Sequence, residues 1–195
     1  LRDLLRVFSR SEEGFAVHAI LGDRGEPGFR EELDHLRAGG GFQYDFVPTL
    51  KRAICPYRDL RAYGRIKALL RGIAPDIVHT HSSKAGMLGR HAAHHLGIAN
   101  VIHTAHVFPF QWAGGVTGRV YLALERRAAG FCRTLVCVGE SQRADALARR
   151  LAPPEKLVVI RNGIELPRAA DDARATARAT LGLNAATPAV GMVAR

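Results

Sequence analysis

The stretch Asp76-Ile-Val-His-Thr-His-Ser-Ser-Lys-Ala-Gly86 is a short apolar, β-rich run that passes directly into a serine-rich turn and the start of a helical pattern. Asp76–Thr80 carries no polar alternation of the kind a half-exposed strand shows, so it reads as a parallel strand covered on both faces. Ser83–Leu96 then reads as a helix opened by a serine cap, with Gly97 as its stop. The next run, Asn100–Thr104, is again a strand. Strand, helix, strand at this rhythm implies a right-handed βαβ crossover.

The same alternation extends in both directions. Further strands are read at Phe15–Leu21, Phe42–Val47, Thr134–Val138 and Leu157–Ile160. Helices are read at Leu1–Arg10, Phe29–Arg37, Tyr57–Arg71, Thr117–Phe131 and Glu140–Leu151, the last ended by Pro153-Pro154. The expected fold is α/β, a doubly wound, open parallel sheet of the Rossmann-like kind. A boundary is placed at Pro167, where composition shifts to Ala, Arg, Asp and Thr. Residues 1–167 are one domain, and 168–195 open a second with a helix at Asp171–Leu181 and a strand at Ala189–Ala194. Both ends read as cuts in a longer protein, the first removing a strand and its turn.

Composition narrows the partners. The chain has 195 residues and a formal charge of +10, from 28 Lys and Arg against 18 acids. Such a surplus favours anionic partners, or it writes arginine onto solvated helices without any partner at all. No apolar run approaches the roughly 20 residues needed to cross a bilayer. Cys55, Cys132 and Cys137 form no CxxC pair and read as reduced residues of a cytosolic protein.

In open α/β sheets ligands bind beyond the carboxyl ends of the strands. Three loops therefore share one rim: His81–Gly86, Ala105–Phe110 and Gly139–Ser141. In the first, Ser82, Ser83 and Lys84 precede a helix whose free N–H groups suit an anion. It can equally be an ordinary helix start. In the second, His106 can exchange a proton or hydrogen-bond a sugar hydroxyl, or serve structure alone. His79 is expected to point into the sheet packing. The pairs His79/His81 and His91/His95 do not add up to a metal site, which needs roughly three or four convergent ligands. No P-loop, GxSxG elbow or dinucleotide fingerprint is present.

Lys51–Arg71 carries Lys51, Arg52, Arg58, Arg61, Arg65, Lys67 and Arg71 against Asp59 alone. On its helix Arg58, Arg61 and Arg65 share one face, while Leu60, Tyr63 and Leu70 supply another. This is the pattern of a helix lying on an anionic leaflet, and also of a solvated surface helix. No aromatic–basic interleaving supports nucleic acid.

Taken in order, Asp76–Gly86, His103-Thr-Ala-His106 with Phe108-Pro-Phe110, Leu124-Glu-Arg126, Val138-Gly-Glu-Ser141 and Val159-Ile-Arg-Asn-Gly-Ile164 resemble the N-terminal domain of retaining, nucleotide-sugar-dependent glycosyltransferases of the GT-B fold and family 4 type. The resemblance spans roughly residues 15 to 195. It implies two Rossmann-like domains facing a cleft, the first binding a saccharide or lipid-linked acceptor and the second the nucleotide-sugar donor. It implies hexosyl transfer with retention, for cell-surface polysaccharide or glycolipid, without metal or cofactor. His106 matches the cleft histidine near the transferred sugar. Arg126 or Arg127 sits where acceptor-contacting basic residues can occur. Glu140 lies in the third loop, and Arg195 matches a residue contacting the donor diphosphate. Val107 and Gly139 depart from the common Gly and Ser of relatives. A cytoplasmic enzyme, peripheral to the inner membrane face and inactive as residues 1–195 alone, is expected. The other readings are a non-catalytic binding domain for anionic ligands or membrane, and a UDP-sugar epimerase or hydrolase of the same fold.

Overall fold

The computed structural model describes residues 2–9, 14–22, 28–163, 173–184 and 188–190. Two compact units divide the chain, Leu1–Asn162 and Gly163–Arg195. Of the second, the described helix is Ala173–Thr180, inside the expected Asp171–Leu181. Pro167, and all but the first two residues of the strand expected at Ala189–Ala194, lie outside the described residues.

The first unit is α/β with every strand parallel to its partner. β1 (Val17–Gly22) pairs with β2 (Phe42–Val47), and β3 (Val78–His81), β4 (Val101–Ala105), β5 (Thr134–Cys137) and β6 (Leu157–Val159) follow one another across a second sheet. One open sheet was expected; two hydrogen-bonded sheets are found, with β1 and β3 not paired to each other. They still share a core. Val47 and Ile20 from the first sheet pack into the apolar cluster built on Val78, Val101, Leu135 and Leu157 of the second. The chain passes between the sheets through α3 (Pro56–Ile73), whose Ala62, Ile66 and Leu70, four residues apart, enter that cluster. Leu60 is exposed instead, and Tyr63 is half-buried with its hydroxyl on His95 Nδ1 at 2.6 Å, so the buried face lies one step round from the expected one. The faces of the smaller sheet and the helices α1 (Arg2–Ser9) and α2 (Phe29–Ala38) meet in a separate cluster of Leu5, Ala19, Leu21, Leu33 and Phe42.

Three crossover helices complete the larger layer: α4 (Ser83–His95), α5 (Gly115–Ala129) and α6 (Glu140–Ala148). α4 lies close on β3 and β4 because two of its turns have no side chain. A β-carbon on Gly86 would overlap the His103 imidazole, and one on Gly89 would sit 2.9 Å from Thr80 Cγ2. That contact fixes where the helix starts, and therefore where the rim serines stand.

Candidate functional site

Parallel register brings the strand ends level: His81 opposes Thr104, and Ala105 opposes Cys137. One residue beyond each end stand Ser82, His106 and Val138, so the three loops do share a rim. Ser82 occupies the N-cap position of α4, and its carbonyl accepts the Gly86 N–H at 2.9 Å. The serine cap expected at this helix start is not formed. Ser82 has φ 61° and ψ 163°, and its side chain makes no cap hydrogen bond. Those angles belong to a region essentially reserved for glycine, and holding another residue there costs about 1–3 kcal/mol. Ser82→Gly should therefore raise unfolding stability by about 1 kcal/mol, strain relief exceeding the added flexibility of the unfolded chain. Urea melts of the two proteins would read it, and a loss of stability would show that the serine hydroxyl holds the turn.

Alternation along β3 sends Thr80 toward α4 and His79 and His81 to the other face. His79 therefore does not enter the packing under α4; it is exposed, its Nε2 2.8 Å from Thr104 Oγ1. The His79 and His81 rings lie 4.2 Å apart, and His81 stacks on His106 at 5.6 Å and 23°. His81 Nδ1 and His106 Nε2 are 3.3 Å apart, so one ring donates and the other accepts. Burial, followed by the neighbouring imidazoles of His79 and His106, pushes His81 down to about 3. Burial also lowers His106. On the α4 side, burial and then the Arg90 guanidinium push His103 down to about 3, with Thr80 Oγ1 2.9 Å from its Nδ1. The rim thus presents neutral imidazoles, fitted to hydrogen-bond hydroxyl groups rather than to attract charge.

The loop after His106 is anchored from below. Phe108 and Phe110 are buried and stacked at 5.0 Å. Gln111 bridges the loop, accepting the Phe108 N–H at 3.4 Å and donating to Asp145 of α6 at 3.0 Å. Val107 remains exposed beside His106.

The other predicted residues divide by position. Ser83 is half-buried in the first turn of α4, and Glu140 is exposed at the start of α6, both at the rim. Lys84 starts there too, but its ammonium donates to Asp59 Oδ1 at 2.7 Å and to the Ala53 carbonyl at 2.5 Å. It ties α4 to the entry of α3. Arg126 and Arg127 fall in the last turn of α5, which returns the chain to the start of β5. A rise of about 1.5 Å per residue carries them roughly 16 Å from the helix start, toward the opposite end of the sheet. There Arg126 donates to the Arg149 carbonyl, and Arg127 lies 5.6 Å over the Phe131 ring. Arg195 lies outside the described residues. Among the described residues no three His, Cys, Asp or Glu side chains are placed to hold a metal ion.

Two features escaped the sequence reading. His81, the hydrogen-bond partner of His106, is one. The other is a buried ion pair between α4 and α5: Arg90 Nη2 meets Glu125 Oε2 at 2.9 Å, and Arg90 Nε donates to the Gly86 carbonyl at 3.0 Å.

A parallel α/β unit with its polar loops gathered at the carboxyl ends of the strands is a Rossmann-like domain of the GT-B kind. The UDP-GlcNAc 2-epimerase of Neisseria meningitidis shares this fold, with a TM-score of 0.50 at 15% identity over 73% of this chain and 46% of the other. The Methanocaldococcus jannaschii UDP-GlcNAc 2-epimerase is a weaker likeness, at 0.47 and 16% over 74% of this chain and 45% of its own. The sequence carries the assignment further. The chain belongs to Glycosyltransferase Family 4, whose description matches residues 1–168. A UDP-Gal:alpha-D-GlcNAc-diphosphoundecaprenol alpha-1,3-galactosyltransferase of Escherichia coli is 38% identical over 124 residues, 63% of this chain. That match spans 32% of the relative's length, so the chain corresponds to about a third of it.

Proposed function

We propose that the protein transfers a hexosyl group, with retention, from a nucleotide-sugar donor to a saccharide or lipid-diphosphate-linked acceptor in the synthesis of a bacterial surface polysaccharide or glycolipid. The observation that carries this reading is His106, at the carboxyl end of β4, with an imidazole kept neutral and hydrogen-bonded to His81. A neutral imidazole at that place orients a sugar hydroxyl without trapping the diphosphate. Ser82, Ser83 and Glu140 are assigned to the hydroxyls of the acceptor. Lys84, paired with Asp59, sets the position of that serine turn, and Arg126 and Arg127 brace α5 against its neighbours. Charge developing on the departing nucleoside diphosphate falls to the donor side of the cleft, where Arg195 is assigned, in a reaction without a metal ion. The galactosyltransferase relative, whose name gives a diphosphoundecaprenol acceptor, supports a lipid-linked substrate here.

The protein is assigned to the cytoplasmic membrane face, with Lys51–Arg71 against anionic lipid. In the structure Lys51, Arg52 and Arg61 are exposed beside Ile54, Tyr57 and Leu60. Among the described residues no helix is long and apolar enough to cross a membrane.

The test is transfer from radiolabelled UDP- and GDP-sugars by the two-domain enzyme, with and without a GlcNAc-diphospholipid acceptor. Acceptor-dependent product with a retained anomeric configuration is expected, and none from residues 1–195 alone. Donor consumption that ignores the acceptor would replace this reading with an epimerase or hydrolase.

A further inference from the structure

The register of β3 and β4 leaves one side chain out of place. His79 opposes Ile102 and His81 opposes Thr104, and all four point to the face of the sheet away from α4. The His79 ring nevertheless reaches past its own partner, and its Nε2 lies 2.8 Å from Thr104 Oγ1. Strand side chains can lean along the strand, and this one leans toward the rim. That lean lays it against His81, with the ring centres 4.2 Å apart.

Little else steadies His81. Its other ring contact, and its hydrogen bond among the described residues, are both with His106. Ile102, and Val136 opposite Thr104 on β5, share this face but belong to neither apolar cluster. Core packing therefore does not fix the His81 ring, and its orientation must come from its imidazole neighbours. His106 is the group to be oriented, so the support has to come from His79. His79 is itself exposed and is held by Thr104. Thr104 is buried, and His79 is the one hydrogen-bond partner of its hydroxyl among the described residues. A buried hydroxyl left without a partner is costly, which keeps this contact closed. Order thus runs outward from a fixed strand atom, through Thr104, His79 and His81 to His106.

We propose that Thr104 and His79 are positioning residues for the rim. The Thr104 hydroxyl holds the His79 ring forward, that ring backs His81, and His81 keeps His106 in one orientation and one tautomer. The proposal rests on the reading of His106 as the group that orients a sugar hydroxyl, and adds two residues that touch no substrate. A neutral imidazole has one donor and one acceptor nitrogen. A ring free to turn over or change tautomer would offer the substrate hydroxyl the wrong partner for part of the time.

Thr104→Val keeps the branched shape of the side chain and removes the hydroxyl. In the two-domain enzyme it should lower kcat about tenfold and leave KM for donor and acceptor nearly unchanged, since misorientation acts at the reacting atom. Thr104→Ser should restore the rate. His79→Leu, at an exposed position, should reproduce the loss independently of how a valine packs on β4. A second readout needs no turnover: the imidazole nitrogen resonances of isotopically labelled histidine, assigned with His81→Leu and His106→Ala. Above the ordinary imidazole titration range, His81 and His106 should each show one protonated and one bare nitrogen. Thr104→Val and His79→Leu should bring the two nitrogens of His106 toward a common averaged shift. Unchanged His106 shifts in both variants would overturn the proposal, whatever happens to the rate. So would a rate loss that Thr104→Ser does not repair, or one expressed in KM alone. The expected shift changes in a protein that transfers no sugar would uphold the positioning chain and count against the transferase reading instead.

Discussion

Glu125→Ala is expected to cost about 3–5 kcal/mol of folding free energy, enough to leave a domain of ordinary stability largely unfolded. Arg90 is wholly buried, and Glu125 nearly so. Removing the carboxylate leaves the guanidinium with one hydrogen bond, to the Gly86 carbonyl, in a place without solvent. Its Nη1 already lacks a partner among the described residues. The pair itself need not be strongly stabilising, since both ions were desolvated to make it. The sharper expectation is therefore a comparison: Arg90→Met with Glu125→Leu should be far less damaging than Glu125→Ala alone. Urea denaturation of the single and double variants measures the difference. A single-variant cost under about 1 kcal/mol would mean that water reaches the pair. The consequence extends to the rim, because Arg90 grips the carbonyl of Gly86 in the second turn of α4, next to Ser82 and Ser83.

That pair also shows where sequence reading stops. The strands were legible because parallel strands covered on both faces are written as short apolar runs, and Gly97 marked the end of α4. Phe42–Val47 is found as read, and the other limits shifted by at most two residues: Ile77, expected in a strand, is half-exposed and precedes the ladder. Arg90 and Glu125 are 35 residues apart and resemble any charged residues on amphipathic helices. Only the close approach of α4 and α5 makes them partners. Lys84 and Asp59 are likewise separated by 25 residues, so nothing local announced that the rim lysine was already paired. The positions of Arg126 and Arg127 could have been inferred. A helix that leaves one end of a parallel sheet must return to the other, and both residues fall in its final turn. The division into two sheets has no comparable signal, because strand periodicity records which face is buried and not which edge is paired.

His106→Ala should lower kcat/KM for sugar transfer by about a hundredfold to a thousandfold while leaving the fold intact. The expected separation follows from position: the ring stands at the rim outside the apolar cluster, so its loss removes a hydrogen bond to substrate rather than a core packing contact. The pH profile carries the finer expectation. Burial lowers His106 below the ordinary value of 6.5, and burial with neighbouring imidazoles holds His81 at about 3. The neutral pair is thus the state favoured above the shifted value. Activity should be level as pH falls to 6.5 and decline only below it, as a proton on His106 removes the ring's accepting nitrogen. His81→Leu removes the hydrogen bond that sets the His106 tautomer and should reduce kcat, though less than His106→Ala does. His81→Asn, which keeps a hydrogen-bonding atom near the Nδ1 position, should restore part of the loss. A kcat unmoved by His81→Leu would mean that His106 takes its tautomer from substrate, and the histidine pair would then be a packing contact at the edge of the site.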